Sequence, residues 1–88
     1  MAAFLRKGYL KLKCKECHNQ HSFEGRDMIF DKMGKTHICS KDFYCGCDTK
    51  LKYEIEVAET PEGKLGEVKF SSVNCEIVQK IQIMESPF

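Results

Sequence analysis

The sequence predicts a mainly β fold, a small antiparallel sheet held together by its cysteines. Apolar and charged residues alternate without exception over residues 51–57, which is the period of a strand with one buried face. Five of the six cysteines fall between Cys14 and Cys47. Because a chain of 88 residues buries only a modest core, these cysteines are expected to supplement it as a staple.

The first half of the chain is predicted to contain a strand and a hairpin. Two leucines at alternate positions predict a strand over residues 8–13. Residues 14–26 are polar and are expected to form turns, with Phe23 alone packing back over them. A hairpin is predicted around Gly34, and its returning strand lies over residues 36–39.

The second half is predicted to extend the sheet. Residues 40–42 are expected to form a loop that leads to a second group of cysteines. The strand at residues 51–57 follows, and a proline and a glycine within residues 60–63 predict a reversal of the chain. Residues 66–70 then supply the partner strand of a second hairpin.

The segment from residue 73 to residue 84 allows two interpretations. As a strand, its alternate apolar residues share one face, whereas as a helix capped by Ser72 its apolar residues form one stripe. Its isoleucines and valines favour the strand, because β-branched side chains lose rotamer freedom in a helix. We therefore predict a strand, with a short helix as the alternative, and a tail at residues 86–88.

The cysteine spacing predicts a metal site. Cys14 and Cys17 are separated by two residues, and such a turn lets two thiolates converge on one ion. Zinc takes four ligands in a tetrahedron, so two more thiols are required. Cys39, Cys45 and Cys47 offer three thiols for these two places.

The order of these features resembles the zinc ribbon, a class with many functions. A strand leads into a Cys-x-x-Cys turn, a hairpin follows, and a second cysteine group precedes an alternating strand. The resemblance covers residues 8–57 and implies one structural Zn²⁺ ion, with Cys47 closest to the place of the last ligand. Zinc ribbons usually have two Cys-x-x-Cys pairs, and only the first pair matches here. Cys45 is favoured over Cys39 as the fourth ligand, because it shares a turn with Cys47 and Gly46 permits a tight backbone path.

The predicted site therefore comprises Cys14, Cys17, Cys45 and Cys47. We expect residues 1–88 to form a single zinc-stapled domain, in which residues 58–85 add a hairpin and a strand to the zinc-ribbon-like part. Cys75 stands apart and is expected to be a small buried hydrophobe. The histidines His18, His21 and His37 are expected to lie near the site as neighbours, rather than to bind a second ion.

Two other uses of the cysteines are disfavoured. The first ten residues contain no export signal, so we expect a cytoplasmic, reducing location in which cysteines bind metal more often than they form disulfides. The segment from Cys14 to His18 also has the spacing of c-type haem attachment. Such attachment generally occurs outside the cytoplasm and would leave the second cysteine group unexplained.

The charge distribution suggests a nucleic-acid partner. Residues 1–52 carry eleven Lys/Arg against six Asp/Glu, a net charge of +5, and residues 53–88 carry three against seven, a net charge of −4. Lysines on a strand face can neutralise phosphates, and exposed aromatic rings can stack on bases. We predict weak, salt-sensitive binding to single-stranded nucleic acid, related to transcription or RNA. The residues concerned are Lys7, Lys11, Lys13, Lys15, Lys50 and Lys52, with Tyr9, Phe43 and Tyr44.

Other functions are kept as alternatives. A protein-interaction adaptor or small regulatory subunit is suggested by the acidic second half and by sheet edges that so short a chain leaves uncovered. No paired-carboxylate or serine–histidine arrangement stands out, so we expect no enzyme. A thiol redox role for Cys14 and Cys17 is the minor alternative, although the helix that usually follows such a motif is lacking. No apolar run approaches the roughly 20 residues that a membrane span needs, so no membrane partner is expected.

Overall fold

The computed structural model describes residues 4–85, in which nine β-strands and one turn of 3-10 helix follow one another. The elements are β1 (Phe4–Lys7), β2 (Tyr9–Cys14), β3 (Gln20–Glu24), the 3-10 turn (Gly25–Asp27), β4 (Asp31–Met33), β5 (Thr36–Tyr44), β6 (Lys50–Glu59), β7 (Leu65–Val73), β8 (Cys75–Gln79) and β9 (Gln82–Glu85). The prediction of a mainly β, antiparallel fold is confirmed. Residues 86–88, predicted as a tail, lie outside the described range.

The strands form three antiparallel groups. One sheet has the order β3-β2-β8, a second has the order β4-β5-β6-β7, and β1 pairs with β9. The chain passes from the second sheet to the first at Asn74, the one residue between β7 and β8. The segment from residue 73 to residue 84 is thus extended, as its β-branched residues predicted, and the helical alternative is wrong.

The buried side chains belong to one cluster that both sheets share. Leu10 and Leu12 of β2 have no exposed surface, and the same holds for Leu51, Ile55 and Val57 of β6. These residues occupy alternate positions on their strands, so each strand turns one face to the core. The alternation in the sequence therefore identified the two central strands correctly.

Two segments differ from the prediction. Residues 20–24 form β3 and not a turn, and residues 40–42 continue β5 to Tyr44 instead of forming a loop. Both lie at sheet edges, where one side of a strand meets no neighbour and polar residues are tolerated. Ser40 and Asp42 pair with Glu54 and Lys52, so no apolar side chain marks this part of the strand.

The hairpin predicted around Gly34 is present. β4 and β5 pair through Met33 and Thr36, and Gly34 has a φ of 66°, a conformation that glycine adopts without strain.

None of the helical segments within residues 4–85 has the length and apolarity that a membrane crossing requires.

Candidate metal centre

Four cysteine thiols lie together at one end of the two sheets. The Sγ atoms of Cys14, Cys17, Cys45 and Cys47 are all within 4.8 Å of one another. The distance is 3.8 Å between Cys14 and Cys47 and 3.1 Å between Cys17 and Cys45. A tetrahedral zinc ion bound to sulfur at about 2.3 Å requires sulfurs about 3.8 Å apart. The Cys14–Cys47 distance matches this value and the Cys17–Cys45 distance is shorter, and all four thiols lie close enough together to hold a single four-coordinate ion.

The first cysteine turn begins where β2 ends. The amide of Cys14 donates to the carbonyl of Asn19 at 2.9 Å, and the amide of His18 donates to the carbonyl of Cys14 at 2.9 Å. His18 closes the turn with a φ of 65°, in the left-handed region that histidine, asparagine and aspartate enter more readily than most residues. This geometry directs the thiols of Cys14 and Cys17 to the same side.

The second cysteine turn has the same pattern of backbone hydrogen bonds, with one residue fewer between its two cysteines. The amide of Cys45 donates to the carbonyl of Thr49 at 3.0 Å, and the amide of Asp48 donates to the carbonyl of Cys45 at 2.9 Å. Asp48 has a φ of 66° and stands directly after Cys47, as His18 stands directly after Cys17. A Cys-x-Cys sequence can thus present two thiols as the Cys-x-x-Cys sequence does.

Hydrogen bonds from the backbone and a hydroxyl group favour negative charge in this centre. The hydroxyl of Thr49 lies 3.1 Å from the Sγ of Cys47, and with the Thr49 amide it lowers the pKa of Cys47 to about 6. The backbone of Asn19 acts in the same direction on Cys17, but the neighbouring thiols, Cys45 first, outweigh it and raise the pKa of Cys17 to about 12. Four thiols so close together can all lose their protons only when a cation binds among them, and such a ligand set is one that Zn²⁺ can take.

Asn74 is hydrogen-bonded to the backbone beside both cysteine turns. Its backbone carbonyl accepts a hydrogen bond from the amide of Lys15 at 3.1 Å, and its side-chain amide donates to the carbonyl of Lys50 at 2.9 Å. Asn74 has a φ of 61°, and the next residue, Cys75, pairs directly with Cys14. The sequence carries no signal for this role beyond the tolerance of asparagine for a left-handed backbone.

The other two cysteines lie outside the centre. Cys39 faces the core opposite Ile55 and is 5% exposed, and burial raises the pKa of its thiol. Cys75 is 2% exposed, as expected for a small buried hydrophobe. Its Sγ lies 3.4 Å from the carbonyl oxygen of Val73. Of the three thiols that competed for two places, the structure brings Cys45 and Cys47 to the first pair and leaves Cys39 in the core.

The histidines do not join the thiols. His18 belongs to the first turn, His21 packs edge-on against Phe43 at 5.2 Å, and His37 places its Nε2 atom 3.0 Å from a carboxylate oxygen of Glu59. Within residues 4–85, the four thiols form the one cluster of at least three His, Cys, Asp or Glu ligands close enough to share an ion.

The lysines proposed to bind nucleic acid are interleaved with other side chains. Lys52 pairs with Asp42, and Lys13 pairs with Gln20 on one side and Glu76 on the other. Lys50 pairs with Tyr44, whose side chain is 68% exposed. Lys13 and Lys52 therefore each have an acidic residue as a cross-strand neighbour, which lowers the local positive charge.

The fold and the site define a mainly β protein with a four-cysteine centre compatible with the zinc-ribbon class. Comparisons with protein-family models, curated proteins and solved structures found no match. The likeness to the zinc-ribbon class therefore depends on the geometry of the four thiols and on the strands that position them.

Proposed function

We propose that this protein is a small non-enzymatic module in which one structural Zn²⁺ ion joins two β-sheets. The observation that carries the proposal is the closed set of four thiols, Cys14, Cys17, Cys45 and Cys47, within 4.8 Å of one another. Structural zinc sites use four protein ligands, whereas catalytic sites keep one position for water or substrate. A metal ion bound by all four thiols would leave none of them available for thiol redox chemistry, which disfavours the redox alternative. The four thiols form no disulfide, which suits a reducing compartment such as the cytoplasm.

Metal analysis tests the zinc proposal. Elemental analysis and native mass spectrometry are expected to find one zinc ion per chain in the wild-type protein and in Cys39→Ser, and none retained in Cys45→Ser. The two variants remove the same atom from different places, so they form a matched pair. Loss of zinc from Cys39→Ser, or a different metal in the wild-type protein, would contradict the proposal.

The partner that best suits this module is another protein. The acidic cross-strand neighbours of Lys13 and Lys52 weaken the positive charge that phosphate binding favours. By contrast, β3 and the second half of β5 each have one edge that is paired with no other strand among the described residues. Such edges bind extended segments of other proteins through backbone hydrogen bonds. We therefore propose a protein-interaction adaptor.

Single-stranded nucleic acid is the second candidate, and one observation favours it. Tyr44 is 68% exposed, and its cross-strand neighbour is Lys50, close to the second cysteine turn. An exposed ring beside an ammonium group suits a stacked base and its phosphate.

One pair of measurements separates these candidates. An adaptor is expected to retain a specific partner protein after affinity capture from nuclease-treated cell extract, and to show no response to a single-stranded oligonucleotide at low salt. Nuclease-sensitive capture, with oligonucleotide binding that Tyr44→Ala weakens, would favour nucleic acid instead.

A further inference from the structure

A cavity of about 440 Å³ lies between β3 and β5. Buried residues form its floor, and these are Met28, Cys39 and Tyr53. Exposed residues form its rim, and these are Ser22, Asp27, Ile29, Ser40 and Lys41. With so many exposed residues around it, the cavity is too open to surround a small molecule, which binding sites for such molecules do. It is suited to receive one side chain of a larger partner.

The two strands that border the cavity run in opposite directions. β5 runs towards the metal centre, since it ends directly before Cys45. β3 runs away from the metal centre, since it begins at Gln20, just after the first cysteine turn. An added strand can therefore be antiparallel to one of them only. A bound segment is thus recognised by the floor and the rim of the cavity, and not by ladders with both strands.

The inside of the cavity suits an aromatic side chain. The Phe23 ring is part of its lining and packs against the Tyr53 ring, with the centroids 5.1 Å apart. Met28, which is 6% exposed, belongs to the same lining. Aromatic rings pack favourably against other rings and against the sulfur of methionine. An aromatic side chain of a partner would therefore meet an apolar surface that is already formed.

The rim carries two opposite charges that have no ion pair. Lys41 lies on the β5 side of the cavity, and Asp27 lies in the 3-10 turn on the other side. In the part of the chain that the structure describes, neither residue takes part in an ion pair. Lys41 instead places its ammonium group 4.9 Å from the centre of the Phe23 ring, a cation–π distance. The third charged residue of the lining, Glu24, is already paired with Arg26.

These two charges select the charges of a partner. A purely acidic segment is attracted by Lys41 but repelled by Asp27, and a purely basic segment meets the reverse. A segment with one acidic and one basic residue beside an aromatic residue satisfies both ends of the rim. The same argument disfavours a nucleic-acid backbone at this place, because its phosphates would approach the carboxylate of Asp27.

We propose that this cavity binds an aromatic side chain of a partner protein, with an acidic residue of the same segment meeting Lys41 and a basic residue meeting Asp27. The proposal rests on the proposed adaptor function and gives it a location and a partner chemistry.

A titration with capped peptides tests the cavity directly. The probe is acetyl-Gly-Lys-Phe-Glu-Gly-amide, added to the zinc-loaded protein and followed by NMR of the backbone amides. Shifts are expected at residues 22–29 and 39–41. A peptide with alanine in place of the phenylalanine is expected to bind at least tenfold more weakly, because an aromatic residue in a pocket supplies a large share of binding energy.

Two further peptides, each with one charge, separate the two ends of the rim. In the acidic peptide glutamine replaces the lysine, and in the basic peptide glutamine replaces the glutamate. Lys41→Glu is expected to weaken binding of the acidic peptide about fivefold, the upper end for an exposed ion pair, and not to weaken binding of the basic peptide. Asp27→Lys is expected to do the reverse. Binding of the other peptide by each variant shows that the cavity itself is intact.

Matched control variants exist in the exposed turn between β6 and β7. Lys64→Glu and Glu62→Lys make the same charge changes there and are expected to leave the affinity of every peptide unchanged. Absence of binding by the first peptide, or equal effects of Lys41→Glu and Lys64→Glu, would overturn the proposal. So would free phenylalanine that binds as tightly as the peptide, or a concentration-dependent dimer whose interface maps to the same amides.

The outcome is distinguishable from failure of the adaptor function itself. If the first peptide, at a concentration that saturates the cavity, does not displace a captured partner protein, the adaptor function stands and the cavity is not its binding site. If no partner is captured while the peptides bind as expected, the cavity binds such segments but the adaptor proposal fails.

Discussion

Replacing Cys14 with serine is expected to unfold the protein. Cys14 is the last residue of β2, and its thiol lies 3.8 Å from that of Cys47, so one ion would join two strands that are distant in sequence. Structural zinc supplies about 10–16 kcal/mol in small zinc-binding peptides, which is as large as the entire stability of a typical domain, about 5–15 kcal/mol. Far-UV circular dichroism and the dispersion of backbone amide signals in NMR spectra measure the loss.

Cys39→Ser is the matched control for this prediction. It also removes one sulfur, but from the core, where Cys39 is 5% exposed. We expect it to remain folded and to bind zinc. A strong zinc chelator is expected to unfold the wild-type protein in the same way as the Cys14→Ser substitution does. A well-dispersed spectrum for Cys14→Ser at low free zinc would show that the metal centre does not hold the fold.

Replacing Asn74 with alanine is expected to lower the free energy of unfolding of the zinc-loaded protein by about 2–3 kcal/mol. About 1–2 kcal/mol comes from the left-handed backbone, in which an alanine Cβ crowds the following carbonyl. About 1 kcal/mol more comes from the hydrogen bond to Lys50, which the side-chain amide makes at 2.9 Å. Urea denaturation at a fixed free zinc concentration measures the change, because bound zinc itself stabilises the native state.

Asn74→Gly separates the two contributions. Glycine adopts the observed φ of 61° without strain but has no side-chain amide. We expect it to cost about 1 kcal/mol, from the lost hydrogen bond alone. Equal losses for the two variants would indicate that the backbone conformation contributes nothing. A loss confined to zinc affinity, with unchanged urea sensitivity at saturating zinc, would place the role of Asn74 in the metal centre only.

The central strands could be predicted from the sequence because each has one buried face. In β6, Leu51, Tyr53, Ile55 and Val57 are buried in turn, and this produces the alternation that the sequence displays. β3 has no such signature, since His21 and Phe23 are its inward residues and one of them is polar. The last part of β5 has none either, because Lys41, whose cross-strand partner is the buried Tyr53, occupies an inward position. Polar residues on an edge strand prevent it from pairing with other chains. They also remove the alternation of apolar and polar residues from which strands are recognised.

Cys14 and Cys17 could be predicted as metal ligands from their spacing. The choice between Cys39 and Cys45 as a further ligand depends on how β5 pairs with β6. Cys39 lies opposite Ile55 and therefore faces the core, a placement that depends on where β5 begins and how far it extends. The sequence suggested Cys45 through its shared turn with Cys47, and the structure places these two thiols beside the first pair. The contribution of Thr49 was not anticipated, although a hydroxyl two residues after a ligand is a recognisable source of a hydrogen bond to sulfur.

The pairing of the outermost strands affects the order in which this chain can assemble. β1 and β2 pair with β9 and β8, so that Phe4 lies beside Glu85 and Cys14 beside Cys75. Such pairs have the largest sequence separation in the fold, and contacts of this kind slow folding. On the ribosome, all four thiols leave the exit tunnel before β7, β8 and β9 do, because they precede these strands in the chain. A zinc ion captured at that stage would close the loop between Cys14 and Cys47 early. It would then hold β2 in place as a template for the last strands to emerge.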